Sequence, residues 1–139
     1  MALNFDNLNR CNLTLARSLQ SLDSCEAGSI DYEVARNAVI KSFELTLETS
    51  GKLLAKVLKE YVGSPKTVDG WVYKDLLRHA AKHGLLSIEE LERWLTYRDA
   101  RNSTAHDYGE AFAEHTLGLI RHFQEDAVLL HRTLVAKHG

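Results

Sequence analysis

The sequence predicts an all-α protein, an up-and-down bundle of about five helices that resembles a four-helix bundle in plan. Its 139 residues include one proline and eight glycines, too few for the many tight turns of a β-rich fold. Apolar residues recur every three or four positions through most of the chain, which is the period of an amphipathic helix. The length suits one hydrophobic core, so we expect a single domain over residues 1–139.

Two helices are predicted in the first half of the chain. The first covers residues 5–22, where apolar side chains follow one stripe. Asp31 is a suitable N-cap for a second, longer helix over residues 32–61. Gly51 lies inside this second helix, where a glycine costs about 1 kcal/mol relative to alanine. We therefore expect either a close approach of another backbone at Gly51 or a bend in the helix.

Three further helices are predicted after an interruption at residues 63–70, which contain two glycines and the only proline. A shorter helix is predicted over residues 71–83. Ser87 and Glu90 have the spacing of a capping box and predict the start of another helix. The last helix is predicted over residues 110–137, and the four-three spacing of its apolar stripe suits packing at shallow angles.

Composition limits the classes of function. Seventeen Lys and Arg against nineteen Asp and Glu give a net charge of −2, which argues against a protein that coats nucleic acid but allows a local basic site. The apolar stretches are too short for a membrane span, and the first residues lack the basic and apolar regions of a secretory signal. Two cysteines without metal-site spacing fit a reducing compartment. We expect a cytoplasmic protein.

The most informative stretch is residues 98–108, which are dense in polar and titratable groups. Arg101 offers the fixed donors of a guanidinium to a phosphate, and His106 can move protons near neutral pH. Together with Tyr108 these residues suit a phosphodiester or nucleotide. Arg101 and His106 lie five apart, about 140° around a continuous helix, so they meet only if the helix ends or kinks, for which residues 102–104 are suitable.

A purely structural interpretation of this stretch also stands. It is a polar loop between helices in which Arg98 and Arg101 pair with Asp99 and Asp107.

Glu44 and Glu48 lie one turn apart on the second predicted helix, with Lys52 one turn further. There are two interpretations. These residues form an exposed row of charges, or one of the carboxylates contacts Arg101 and positions it.

A metal site is not expected. His79 and His83 have a spacing that can bind metal, but only Asp75 lies nearby as a third ligand, so we predict neither a metal nor a cofactor. The same helix also has a basic face. This face is either simply solvated, or it is a binding surface for RNA or for an acidic partner. It consists of Lys74, Arg78 and Lys82.

The pattern Arg101-Asn102-x-x-x-His106-x-Tyr108 resembles the Arg-x4-His-x-Tyr signature of HEPN domains, in particular the helical proteins of the nucleotidyltransferase substrate-binding family. The resemblance covers roughly residues 5–137. It also includes the Phe-Glu…Glu…Lys pattern of Phe43, Glu44, Glu48 and Lys52, and the run from Tyr73 through His83 to Trp94. One departure is Gly51, near which relatives tend to carry a bulky residue.

The resemblance implies a helical homodimer, encoded beside a minimal nucleotidyltransferase with which it forms a toxin–antitoxin module. Such a protein binds RNA or a nucleotide and, in many relatives, acts as a metal-independent endoribonuclease. Arg101 and His106 would be catalytic, with support from Arg98, Asn102, Glu44 and Glu48. Transfer of AMP to the tyrosine, here Tyr108, would silence the toxin. Other relatives are regarded as non-catalytic substrate-binding subunits of a nucleotidyltransferase.

Metal-free RNA cleavage needs a general base, a general acid and positive charge on the phosphorane. One protomer offers one motif histidine, so our hypothesis is that two copies of His106 face each other across a dimer axis. Arg101 would hold the phosphate, and Asn102 would orient the backbone or the substrate.

Overall fold

The computed structural model describes residues 3–104 and 110–139, with side chains for 3–103 and 114–139. Within these ranges the secondary structure is helical throughout, which confirms the all-α prediction. The described residues form six helices, where about five were predicted. They are α1 (Asp6–Asp23), α2 (Ile30–Leu58), α3 (Pro65–Asp69), α4 (Tyr73–Lys82), α5 (Ile88–Thr104) and α6 (Glu110–His138).

The additional helix is α3, which lies inside the predicted interruption at 63–70. Pro65 occupies its first turn, where a missing N–H costs nothing, and Val68 packs into the core. With only five residues, this helix has no apolar period that a sequence pattern could reveal.

The helix starts follow capping chemistry. The prediction of Asp31 as N-cap of α2 is wrong: Ser29 caps the helix, and its hydroxyl accepts a hydrogen bond from the Tyr32 N–H at 3.1 Å. Asp31 lies in the first turn, where its charge favours the helix dipole. The capping box before α5 is confirmed, because the Ser87 and Glu90 side chains each accept the other's backbone N–H at 3.0 Å.

The core lies around α2, which packs against α1, α4 and α6. Four aromatic rings meet edge to face at its centre, with Phe123 of α6 contacting Phe43 at 4.9 Å, Tyr97 at 5.1 Å and Trp94 at 5.4 Å between centroids. Trp94 is fully buried in this core, whereas Trp71 is half-buried. No helix in the described ranges combines the length and apolar character that a membrane crossing needs.

A buried polar contact joins α5 to α6. The Arg93 guanidinium donates to both carboxylate oxygens of Asp126, at 2.8 and 2.9 Å, and the Tyr97 hydroxyl donates to the same carboxylate. The Asp126 side chain is 5% exposed, so these bonds compensate its lost hydration. This contact sets the position of α5, the helix that carries Arg98 and Arg101.

Candidate functional site

A cleft of about 440 Å³ opens between α2, α4 and α5. It brings together several residues that the sequence singled out from distant parts of the chain. Its walls are formed by Glu44, Glu48, Gly51 and Lys52 from α2, Tyr73 from α4, and Arg98 and Arg101 from α5.

Arg101 is held against α2 by an ion pair. Its Nη1 lies 2.9 Å from Oε2 of Glu44, and the two side chains are 32% and 21% exposed. A carboxylate at this distance restricts the direction of the guanidinium. The geometry is that expected of a carboxylate that positions Arg101.

Glu48 and Lys52 behave differently from Glu44. They form an ion pair with each other at 3.5 Å, and both side chains are mostly exposed. The charge-row interpretation therefore fits Glu48 and Lys52, while Glu44 faces the guanidinium across the cleft. An exposed pair of this kind opens at little cost.

Tyr73 was missed by the sequence analysis as a site residue. Its ring packs so closely on Gly51 that a Cβ there would lie 2.9 Å from Cδ2 and closer still to Cε2. Its hydroxyl donates to the backbone carbonyl of Leu47 at 2.6 Å, and burial raises the pKa of the phenol far above its ordinary value. Gly51 therefore admits an aromatic ring rather than another backbone. A glycine in mid-helix was the available signal, but it did not identify Tyr73.

Arg98 lies one turn before Arg101 on α5, with its guanidinium carbon 4.9 Å from the centre of the Tyr73 ring. For Asp99, the described residues show a different partner from the arginines of the loop pairing that the sequence allowed. Asp99 pairs with Lys74 of α4 at 2.8 Å, and both arginines lie on a helix rather than in a loop. Asp107 falls outside the described residues.

The motif itself is described only in part. Asn102 is exposed near the end of α5, and residues 102–104 continue the helix, so no break occurs within them. His106 and Tyr108 lie outside the described residues. Their roles stay predictions.

The other candidates have partners of their own. The His79 ring stacks on Trp71 at 3.7 Å, and the His83 ring stacks on Tyr61 at 4.7 Å. Among the described residues, no group of three or more His, Cys, Asp or Glu is placed to hold a metal ion. On the basic face of α4, Arg78 lies 3.7 Å from Asp75, and Lys74 pairs with Asp99, so carboxylates partly neutralise that face.

Comparison with known proteins identifies the family. The sequence model of the proteins described as nucleotidyltransferase substrate binding protein like matches residues 3–136. The chain belongs to this family. The resemblance seen in the residues of α2 and of the 98–108 stretch is thereby confirmed.

Relatives of this nucleotidyltransferase substrate-binding type include a protein of Haemophilus influenzae named probable ribonuclease HepT. It is 32% identical over 82 residues, which are 59% of this chain and 55% of that protein, so the match spans about half of its length. A solved structure from the same organism, described as the fold of a substrate binding domain of a nucleotidyltransferase, has a TM-score of 0.81 and 24% identity. The match covers 94% of this chain and 98% of the chain in that structure.

A third relative is the tri-AMPylated HEPN toxin of Shewanella oneidensis, solved in complex with an MNT antitoxin. Its TM-score is 0.69 at 16% identity, with 97% of this chain and 100% of that chain covered. At this identity the likeness shows a shared fold.

Proposed function

We propose that this chain is the HEPN component of a two-protein module with a minimal nucleotidyltransferase, and that it acts in the cytoplasm as a metal-independent endoribonuclease toxin. The observation that carries the proposal is the pairing of Arg101 with Glu44 at 2.9 Å in the cleft. It orients a phosphate-binding group at the end of α5, five residues before His106. The names of the Haemophilus and Shewanella relatives support the same class of function.

The proposed reaction uses the RNA strand's own nucleophile. A histidine takes the proton of a 2′-hydroxyl, whose oxygen attacks the adjacent phosphorus. The bond from phosphorus to the 5′-oxygen breaks, and a second histidine gives that oxygen a proton. Arg101 stabilises the extra negative charge on the phosphorane, and Asn102 orients the backbone or the substrate. The products are a 2′,3′-cyclic phosphate and a 5′-hydroxyl.

Two histidines require two chains, because the motif supplies one. We propose a homodimer in which both copies of His106 face one phosphate. The nucleotidyltransferase partner would silence the toxin by transferring AMP to Tyr108, since a bulky anion beside the phosphate site excludes RNA by charge and volume. An AMP-modified HEPN toxin in complex with its antitoxin has a fold like that of this chain, which supports this mode of regulation.

A second candidate function is a non-catalytic subunit that presents a nucleotide to a nucleotidyltransferase. The family description and the Haemophilus structure favour it. Expression without the partner separates the two candidates: a ribonuclease toxin arrests growth, and the His106→Ala variant does not. A binding subunit leaves growth unchanged in both cases.

The direct experiment is cleavage of a mixed RNA pool in EDTA by the wild type and by His106→Ala at matched concentrations. We expect cleavage that disappears in the variant. A DNA strand of the same sequence lacks the 2′-hydroxyls, so it serves as the control and should stay intact. If a folded, dimeric wild type does not cleave RNA, the binding-subunit function takes its place.

A further inference from the structure

Arg98 is a cation of the cleft without a carboxylate among the described residues. The other charges along the walls have partners, since Arg101 pairs with Glu44 and Lys52 pairs with Glu48. Arg98 lies over the Tyr73 ring, with its guanidinium carbon 4.9 Å from the ring centre. A guanidinium carries five N–H donors, and an aromatic ring does not occupy them as a carboxylate would, so they can serve an anion.

The surroundings of Arg98 hold it in this place. Tyr73 is fixed on one side by the backbone of Gly51 and at its hydroxyl by the Leu47 carbonyl, 2.6 Å away. The neighbouring residues on the two helices, Lys74 and Asp99, pair at 2.8 Å and tie α4 to α5. The platform under Arg98 is therefore part of the fold rather than a mobile surface contact.

We propose that Arg98 binds a second phosphate of the RNA strand, next to the phosphate held by Arg101, and that Tyr73 is its positioning residue. This inference rests on the proposed function for the identity of the first phosphate. Arg98 and Arg101 are three residues apart on α5, so their side chains leave the helix as neighbours on one face. Helix positions at this spacing have Cβ atoms about 5–6 Å apart, which is of the order of the distance between consecutive phosphates in a strand.

The size and charge of the cleft fit this ligand better than a protein carboxylate. A volume of about 440 Å³ holds a nucleotide-sized group, whereas a single acidic side chain would leave it largely empty. Lys52 stands at the cleft wall on an exposed, easily opened ion pair and can add to the attraction for a polyanion. Arginine binds phosphate through two parallel N–H bonds, which lysine cannot do.

The test is binding of dinucleotides that cannot be cleaved. We would compare 2′-O-methyl UpU with the same dinucleotide carrying an additional phosphate at its 5′ end or at its 3′ end, by calorimetry at about 50 mM salt. The wild type should bind one of the phosphorylated forms about tenfold more tightly than UpU, because the second phosphate gains a charge-assisted contact. Arg98→Gln should abolish that gain.

Three further variants refine the result. Arg78→Gln removes an arginine of α4 that does not line the cleft, so the gain should remain. Arg98→Lys should keep part of the gain through its charge. Tyr73→Phe retains the ring but loses the bond to Leu47, so it should reduce the gain without abolishing binding of UpU.

The proposal is overturned if the wild type binds the three ligands equally or not at all, or if the gain survives Arg98→Gln. It is also overturned if Arg98→Gln leaves phosphate binding unchanged but weakens binding of the nucleotidyltransferase, because the anion is then a protein carboxylate. These ligands lack a free 2′-hydroxyl, so the outcome does not depend on catalysis. Failure of RNA cleavage would refute the endoribonuclease and leave the second-phosphate measurement intact.

Discussion

A carboxylate on another helix helps to direct Arg101 in the cleft. The Glu44 side chain is 21% exposed and its Oε2 lies 2.9 Å from the guanidinium, so Glu44→Gln removes this charge without emptying the space. Preorganised charge contributes to catalysis more than mobile charge, because no reorganisation is needed in the transition state.

Glu44→Gln should therefore lower RNA cleavage by about tenfold, through the lost charge-assisted bond. The matched control is Glu33→Gln near the start of α2, whose carboxylate lies 3.9 Å from Arg36 and outside the cleft. Its cleavage rate should stay within about twofold of the wild type. Equal losses in the two variants would show that Glu44 acts through general charge rather than by positioning Arg101.

The Tyr73 ring packs against Gly51 and leaves no space for a side chain there. An alanine there would place a methyl group 2.9 Å from Cδ2 of Tyr73, with less space at Cε2. Gly51→Ala should therefore destabilise the protein by about 1–3 kcal/mol, the usual cost of overpacking.

Gly118 provides the control for this substitution. It is an exposed glycine inside α6, and nothing lies within 4 Å of a Cβ built on it. Gly118→Ala should stabilise the protein by up to about 1 kcal/mol from helix propensity alone. Urea unfolding at one protein concentration measures both variants, and similar values for the two would contradict the contact with Tyr73.

At the level of the helices, the buried contact of Arg93 and Tyr97 with Asp126 joins α5 to α6. The Tyr97 phenol must stay protonated to donate to Asp126. Burial first, and the hydrogen bond to Asp126 second, raise the pKa of Tyr97 well above its ordinary value. A group whose pKa is higher in the folded state contributes stability that is complete below its unfolded pKa. For Tyr97 this contribution is lost as the pH rises above about 10.

Tyr97→Phe should make the free energy of unfolding fall less steeply between about pH 9 and pH 11, because one phenol no longer needs to deprotonate on unfolding. The pKa of Tyr73 is also raised, by burial, so part of the slope should remain. Urea titrations at several pH values measure the slope. An identical slope in wild type and variant would show that Tyr97 ionises without loss of the contact between α5 and α6.

The helices were predictable because their apolar stripes repeat over many turns, and the Ser87–Glu90 box marks a start through its fixed spacing. The cap of α2 was wrong because Ser29 and Asp31 have similar capping ability, and only the backbone geometry distinguishes them. No end was predicted for α5, which continues to Thr104, since a polar segment has no apolar period even when it is helical.

The site residues that belong to a sequence motif could be predicted. The residues that reach the site only through the packing of helices could not. A carboxylate partner for Arg101 could be proposed because Glu44 and Glu48 follow each other on one helix, but the choice of Glu44 depends on the packing of α5 on α2. Tyr73 and its contact with Gly51 depend on how α4 crosses α2, which no local pattern specifies. The same holds for the bonds between Arg93 and Asp126 across α5 and α6.

At the scale of the whole molecule, the proposed chemistry needs two chains. Each active centre would use two copies of His106, one as base and one as acid. A dimer with one altered copy should then be inactive.

Mixing subunits tests this requirement. If wild type and His106→Ala are refolded together in equal amounts, about a quarter of the dimers carry two histidines, so about a quarter of the activity should remain. A mixture of the wild type with a tagged but otherwise unaltered chain should keep full activity. A linear decline to half would show that each chain acts alone.

We propose that this chain cleaves RNA through the 2′-hydroxyl without a metal. The most direct measurement is the chemistry of the ends produced from a defined RNA in EDTA. We predict a 2′,3′-cyclic phosphate on one fragment and a 5′-hydroxyl on the other, with neither formed by His106→Ala. Fragments with 5′-phosphate ends, or cleavage that appears only when Mg²⁺ is added, would contradict the account.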